Sequence, residues 1–131
     1  MANETPGGAP GMGARRSFAA ALVAARRAGI VPVVPDVKVR SPKEGDLLGA
    51  RDPVAYARAL AAAGAPAVSV VTEPEHFGGS LAMLEAIAAA VPVPVLRKDF
   101  IQTEEALAAS REAGAAAVLL IAVHLPPERL P

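Results

Sequence analysis

Charged side chains follow two of the short apolar runs of this sequence, at the positions where strands would end. Asp36 and Lys38 stand two residues apart after an apolar run, so alternation in a strand puts a carboxylate and an ammonium on the same face. Lys98 closes a similar run, between Arg97 and Asp99. In parallel α/β folds ligands lie at the carboxyl ends of the strands. This placement predicts a site built from these side chains.

Lysine is scarce in this chain, which favours a chemical role for the lysines at strand ends. Only three of the 13 basic residues are lysines, namely Lys38, Lys43 and Lys98. A partly desolvated lysine can release a proton near neutral pH and act as a general acid, whereas an arginine cannot. The alternative is that each of these lysines is an ordinary solvated surface cation.

A glycine-rich segment holds one of the three phenylalanines of the chain. Phe77 in this predicted loop is expected either to stack on a planar substrate or to plug the rim of the fold as a loop hydrophobe. The run Gly78-Gly79-Ser80 predicts either an anion site made of backbone N–H groups or a helix N-cap with its preceding turn.

Short apolar strands alternate with helices of about ten residues, a pattern that predicts a parallel sheet covered by helices. Asp52, Ser80 and Thr103 are the predicted helix N-caps, since each precedes an amphipathic or alanine-rich run. The predicted strands are 31–39, 67–71, 94–97 and 116–123; the predicted helices are 14–27, 53–64, 81–90 and 104–114, with a further helix beginning at 126.

The composition excludes several classes of function. The 13 basic and 13 acidic residues balance, which argues against a nucleic-acid or polybasic membrane module, so neither partner is expected. The absence of cysteine removes disulfides, thiolate metal sites and cysteine nucleophiles, and the presence of only two histidines argues against a histidine metal cluster. The pair Arg15-Arg16 resembles an export signal, but the apolar run after it is too short, so we expect a cytoplasmic protein.

At the strand ends the sequence resembles indole-3-glycerol phosphate synthase, a (βα)8-barrel family of tryptophan biosynthesis. The resemblance covers 17–131, and its segments stand in the family's order. The matching segments are Val34-Pro35-Asp36-Val37-Lys38-Val39-Arg40-Ser41-Pro42, Ser69-Val70-Val71-Thr72-Glu73 with Phe77-Gly78-Gly79-Ser80, Pro94-Val95-Leu96-Arg97-Lys98-Asp99-Phe100-Ile101, and Ala117-Val118-Leu119-Leu120-Ile121.

The resemblance implies ring closure and decarboxylation of 1-(2-carboxyphenylamino)-1-deoxyribulose 5-phosphate, with no cofactor and no metal. By resemblance Lys98 is the general acid, and Asp36 stands where the family has a glutamate that positions this lysine. Lys38 is implied to hold anionic groups of the phosphorylated substrate. Ser41, Pro42 and Phe77 are implied to line the substrate pocket.

Two features depart from the family pattern. The first is Asp36, which is one methylene shorter than the family's glutamate, and the second is a loop. The family's usual Ser-Pro-Ser-Lys-Gly appears here as Ser41-Pro42-Lys43-Glu44-Gly45, which changes the charge placed in this loop.

Together with the four predicted strands, the resemblance implies an α/β fold that is the N-terminal half of a (βα)8 barrel, since a whole barrel takes about 250 residues. We expect 1–13, rich in glycine and proline, to be disordered, and 14–131 to form a leading helix, four strands and three helices. The resemblance assigns the general base and the phosphate loops to the second half, so we expect the chain alone to be inactive.

Two alternatives stay open at this point. One is a non-catalytic half-barrel that pairs with itself or complements a separate C-terminal half, because open strand edges and an apolar sheet face favour association. The other is an unrelated flavodoxin-like binding module, which would need a more glycine-rich loop than 40–45 after the first strand.

Overall fold

The computed structural model describes residues 17–130, so the predicted disorder of 1–13 lies outside the described residues. The helices are α1 (Phe18–Arg27), α2 (Pro53–Ala62), α3 (Pro74–Phe77), α4 (Leu81–Ala90) and α5 (Glu104–Glu112). The strands are β1 (Asp36–Val37), β2 (Arg40–Ser41), β3 (Gly45–Asp46), β4 (Val68–Val71), β5 (Val95–Lys98) and β6 (Ala117–Val118). None of the helices between 17 and 130 is long and apolar enough to cross a membrane.

Four parallel strands form the main sheet in the order β1-β4-β5-β6. Consecutive strands of this sheet are joined through α2, α4 and α5, which confirms the predicted alternation of strands and helices. All four strands run the same way, so their carboxyl ends meet at one edge of the sheet. This edge carries the polar residues that the sequence singled out.

The hydrophobic core lies between one face of this sheet and the helices. Val37, Val70 and Val95 are at most 2% exposed and pack with Leu84 and Ile87 of α4. The register places Asp36 beside Ser69, and Ser69 beside Leu96, in a row on the opposite face. The alternation of the strands therefore separates the helix-facing side, which contains the hydrophobic core, from the side that bears Asp36.

The outer strands are shorter than the sequence predicted. The first strand was expected over 31–39, but pairing is restricted to β1 and the carbonyl of Pro35, which accepts a hydrogen bond from Ser69 N–H at 2.9 Å. Pro32 and Pro35 lack the N–H that a strand donates, which accounts for the late start. The fourth strand was expected over 116–123, but β6 ends at Val118.

The end of the described chain also differs from the prediction. A 3₁₀ turn follows β6 at Ala122–His124, and the predicted last helix is a second 3₁₀ turn at Pro127–Arg129.

The predicted helix N-caps are confirmed. The side chains of Asp52, Ser80 and Thr103 accept backbone N–H groups three residues on, at 2.9, 3.0 and 3.1 Å. Each of these caps satisfies a donor that the first turn of a helix leaves free. These caps fix where α2, α4 and α5 begin, and hence the lengths of the loops that follow β4 and β5.

Two elements that the sequence analysis did not predict stand next to the carboxyl edge of the sheet. An antiparallel hairpin pairs β2 with β3 directly after β1. The short helix α3 occupies part of the glycine-rich segment after β4, so Phe77 ends a helix instead of lying in a loop as expected.

Candidate active site

The site begins with an ion pair between residues that are far apart in sequence. Lys98, the last residue of β5, places its Nζ 3.0 Å from Oδ2 of Asp36, the first residue of β1. Because β4 lies between β1 and β5, this ion pair crosses the face of β4 on which Ser69 and Val71 lie. The Lys98 and Asp36 side chains are 44% and 34% exposed, so a ligand could reach both.

Asp36 is one methylene shorter than a glutamate, yet its carboxylate reaches the ammonium of Lys98. The contact is a charge-assisted hydrogen bond, which fixes direction better than a bare charge pair. The structure therefore brings together the two residues that the sequence analysis expected to act as acid and positioning carboxylate. Their catalytic roles stay predictions.

Lys38 and Ser41 meet at a different carboxylate. Lys38 Nζ lies 3.3 Å from Oε2 of Glu44, and Ser41 Oγ donates to the same oxygen at 3.2 Å. Ser41 is buried, and Pro42, which follows it, is exposed in the turn between β2 and β3. Sequence reasoning named Lys38, Ser41 and Pro42 but gave Glu44 no contact.

The helix α3 carries Phe77 and is capped by Glu73. The Glu73 carboxylate accepts the backbone N–H groups of Glu75, His76 and Phe77 at 3.1, 2.8 and 3.1 Å. Arg40 of β2 donates to the carbonyls of Pro74 and Glu75 at 3.2 and 3.0 Å. Arg40 thereby ties the hairpin to the helix that presents the half-buried Phe77 ring.

Opposing effects act on the pKa of Glu73. Burial works to raise this pKa, but hydrogen bonds from the backbone and side chain of His76 and from Phe77 N–H, together with the charge of His76, outweigh it. The pKa of Glu73 is therefore held below its ordinary value of about 4.5.

Among the described residues, the Glu73 carboxylate belongs to a group of side chains that could hold a metal ion. Glu73, Glu75 and His76 each have a possible ligand atom, all within 4.8 Å of one another. Both Glu73 oxygens already accept hydrogen bonds from α3, and Oε1 lies 3.1 Å from His76 Nδ1. We assign this group to helix capping.

The Gly-Gly pair after Phe77 allows the chain to pass close to β4. A Cβ built on Gly79 would lie 2.1 Å from the carbonyl oxygen of Val71, a distance that no side chain tolerates. Gly78 adopts φ +66°, which favours glycine, and faces the Arg40 side chain. Of the two sequence interpretations, the N-cap with its preceding turn fits this segment, because Ser80 caps α4.

On the helix side of β5 lies a polar network that sequence reasoning missed. Arg97 donates to Thr72 Oγ1 at 3.0 Å, to Ser110 Oγ at 2.9 Å and to Asp99 Oδ2 at 3.3 Å. Thr72 Oγ1 in turn donates to Asp99 Oδ2 at 2.6 Å. The signal in the sequence was the charged triplet 97–99 at the end of an apolar strand, whose alternation sends Arg97 and Lys98 to opposite faces.

Ser69 is a second residue that sequence reasoning left without a role. It is 5% exposed, and its Oγ has no hydrogen-bond partner in the part of the chain that the structure describes. Ser69 lies beside Asp36 in the sheet register, beneath the Lys98–Asp36 ion pair. A hydroxyl in this position can donate to or accept from a ligand bound over the sheet.

Comparison with known proteins decides the family. The family model for indole-3-glycerol phosphate synthase matches residues 11–131. The chain belongs to the indole-3-glycerol phosphate synthase family. This is a TIM-barrel family, and the parallel strands with their connecting helices have the arrangement of part of such a barrel.

Curated relatives carry the same description and are longer than the matching segment. An indole-3-glycerol phosphate synthase of Nocardioides sp. is 52% identical over 99 residues, which are 76% of this chain and 38% of the relative. That of Pyrococcus furiosus is 45% identical over 98 residues, 75% of this chain and 43% of the relative. That of Geobacillus kaustophilus is 47% identical over 116 residues, 88% of this chain and 44% of the relative. The chain therefore spans less than half the length of these relatives.

Proposed function

We propose that this chain supplies the proton-donating part of an indole-3-glycerol phosphate synthase, a carbon–carbon carboxy-lyase of tryptophan biosynthesis. The reaction would close the indole ring of 1-(2-carboxyphenylamino)-1-deoxyribulose 5-phosphate and release CO2 and water. The observation that carries this proposal is the Lys98–Asp36 ion pair of 3.0 Å across the sheet, in a chain that belongs to this family.

Lys98 would act as the general acid. In the proposed step its ammonium gives a proton to the carbonyl oxygen of the substrate while a carbon of the aniline ring attacks the carbonyl carbon. Loss of CO2 then returns the electron pair of the broken carbon–carbon bond to the aromatic ring. The new hydroxyl takes up a proton and leaves as water, while the adjacent CH2 carbon gives a proton to a base that we place in the remaining part of the enzyme, so no oxidant, reductant or cofactor enters. Asp36 would hold the ammonium in place, and a general acid positioned in this way contributes about 10²- to 10⁴-fold to a rate.

The remaining predicted residues would bind the substrate. Lys38 is proposed to hold an anionic group, since it is 28% exposed and lies on the hairpin side of the same sheet edge. Ser41 and Pro42 are proposed to contact the substrate from the hairpin, and Phe77 from α3. Arg40 supports this arrangement because it connects the two elements.

We also propose that the chain works in the cytoplasm together with the part of the enzyme that its relatives carry beyond the match. The test mixes the purified chain with the remaining C-terminal part of the Nocardioides relative, and in a second arm joins the two in one polypeptide. Ring closure is followed by the fluorescence of the indole product. We expect turnover in at least the joined form and none from the chain alone or from a mixture of two copies of it.

Two substitutions make this test specific. Lys98→Ala in the joined form should abolish detectable turnover. Lys43→Ala is the matched control, because it removes an exposed lysine that lies outside the Lys98–Asp36 ion pair. Turnover by the Lys98→Ala form, or its absence from the unsubstituted joined form, would contradict the proposed function.

A further inference from the structure

Two residues proposed to bind substrate already share an anion that belongs to the chain itself. The Oε2 atom of Glu44 lies 3.3 Å from Lys38 Nζ and 3.2 Å from Ser41 Oγ. One oxygen of a carboxylate thus receives an ammonium and a hydroxyl at once. This is the same donor set that would bind an oxygen of a substrate carboxylate or phosphate.

The hairpin fixes Glu44 in this position. Ser41 Oγ accepts the backbone N–H of Glu44 at 2.9 Å, which closes the turn between β2 and β3. Gly45, at φ +74°, lets the chain return into β3 directly after Glu44. Because backbone and side chain of Glu44 both contact Ser41, the hairpin places the carboxylate beside Lys38 in the ligand-free chain.

The ion pair is exposed enough to be exchanged. The Glu44 side chain is 54% exposed and that of Lys38 28%. An ion pair of this exposure contributes little stability, so an incoming anion can replace it at small cost. The Lys98–Asp36 ion pair is similarly exposed, but Asp36 belongs to a paired strand of the sheet, whereas Glu44 lies in a turn.

The exchange would make one lysine of the site available to an anionic ligand. Lys98 is neutralised by Asp36 and Lys38 by Glu44, so the two ammonium groups are matched by two carboxylates. A substrate with two anionic groups would therefore find both of these ammonium groups already paired. Release of Glu44 from Lys38 would provide one cation for one anionic group of the ligand.

We propose that Glu44 is an internal competitor that sets the affinity of the site for anions. A substrate oxygen displaces the Glu44 carboxylate from Lys38 and Ser41, while the backbone contacts of the hairpin stay in place. The identity of the natural anion rests on the proposed function, but the competition itself does not.

The experiment measures anion binding to the 131-residue chain by NMR. Inorganic phosphate and 2-aminobenzoate, which represent the two anionic ends of the proposed substrate, are titrated separately. The ε-methylene signals of lysine are the readout, since the chain has only three lysines. The variants are Glu44→Gln, which keeps the shape of the side chain, and Glu85→Gln, an exposed residue of α4 that makes the same change of net charge.

We expect Glu44→Gln to bind at least one of the two anions about two- to fivefold more tightly than the unsubstituted chain, the range typical of a partly exposed ion pair. The largest shift should fall on the Lys38 signal, and Glu85→Gln should bind like the unsubstituted chain. The anion that gains affinity identifies which end of the substrate Lys38 receives.

The proposal would be overturned if Glu44→Gln bound both anions no more tightly than the unsubstituted chain, or bound neither. It would also be overturned if Glu85→Gln gained the same affinity, or if the largest shift fell on the ε-methylene signal of Lys43 or Lys98. Failure of the proposed function is a separate result. A joined enzyme that does not close the ring, while Glu44→Gln still gains anion affinity, would reject the function and leave the competition in place.

Discussion

Arg97 offers the sharpest test of what stabilises the carboxyl end of β5, the strand that carries Lys98. Its guanidinium connects β4, β5 and α5 through Thr72, Asp99, Ser110 and the carbonyl of Ala106. The side chains of Arg97 and Asp99 are only 13% and 14% exposed. Replacement of Arg97 by leucine removes the hydrogen bonds of the guanidinium and leaves the Asp99 carboxylate with Thr72 as its remaining side-chain partner.

The magnitude follows from this burial. Breaking a buried ion pair by removing one partner costs about 3–5 kcal/mol, because it leaves an uncompensated charge. Since Asp99 keeps some contact with solvent and with Thr72, we expect the lower limit, about 3 kcal/mol. Arg97→Lys keeps the charge but not the planar set of N–H donors, so it should lower the free energy of unfolding by about 1.5 kcal/mol, the value of one charged hydrogen bond.

The assay is urea unfolding of the 131-residue chain at neutral pH, followed by circular dichroism. Arg111→Leu is the matched control, since Arg111 is exposed on α5, and it should change the free energy of unfolding by less than about 0.5 kcal/mol. In an Asp99→Asn background, Arg97→Leu should cost less than it does alone, because no buried charge is left unpaired. If Arg97→Leu does not fold, Arg97→Lys provides the measurement.

Two results would refute this reasoning. One is a loss of unfolding free energy of no more than about 0.5 kcal/mol in both Arg97→Lys and Arg97→Leu. The other is that Arg97→Leu costs the same with Asp99 present as in the Asp99→Asn background, within the uncertainty of about 0.5 kcal/mol for additivity.

Three further predictions follow from contacts in the same region. Gly79→Ala should lower the free energy of unfolding by about 2–3 kcal/mol in urea unfolding, because its Cβ would lie 2.1 Å from the Val71 carbonyl oxygen; a loss below about 0.5 kcal/mol would contradict this. Because the pKa of Glu73 is lower in the folded chain, its carboxylate stabilises the fold at pH values above its unfolded pKa of about 4.5, and this stability is lost as the pH falls through the folded pKa. Glu73→Gln should therefore reduce the fall in unfolding free energy on acidification. An unchanged acid dependence would contradict this. Asp36→Asn in the joined enzyme should lower kcat by about tenfold or more with little change in KM, and Asp36→Glu should retain most of the activity; equal losses in both variants would mean that Asp36 does not position Lys98 by its charge.

Much of the fold was predictable because its local signals agree with one another. Asp52, Ser80 and Thr103 begin helices for reasons that lie within three residues of each cap, and the apolar run 67–71 is a strand because both of its faces are buried. The outer strands were overestimated for the opposite reason. β-branched residues extend to Val31 and to Val123, so composition alone favours longer strands. Strand pairing also needs a neighbouring strand and free N–H groups, and the prolines before β1 lack these N–H groups.

The site was predictable only in part. Strand alternation and family resemblance pointed to Lys98 and Asp36, whose contact joins residues 62 positions apart. The hairpin contact of Glu44 and the helix α3 depend on side chain–backbone bonds made by Ser41 and Glu73, which periodicity does not register. Ser69 is polar in a strand whose other residues are valine, and this was the available signal for a hydroxyl beneath the ion pair.

The most direct test of the central claim replaces Lys98 by arginine in the joined enzyme. Arginine keeps the positive charge and can still pair with Asp36, but it cannot give up its proton to the substrate. We predict that kcat falls by about 100-fold or more while KM changes much less, as expected for the loss of a general acid. A Lys98→Arg enzyme with a kcat close to that of the unsubstituted form would contradict the assignment of Lys98 as the acid.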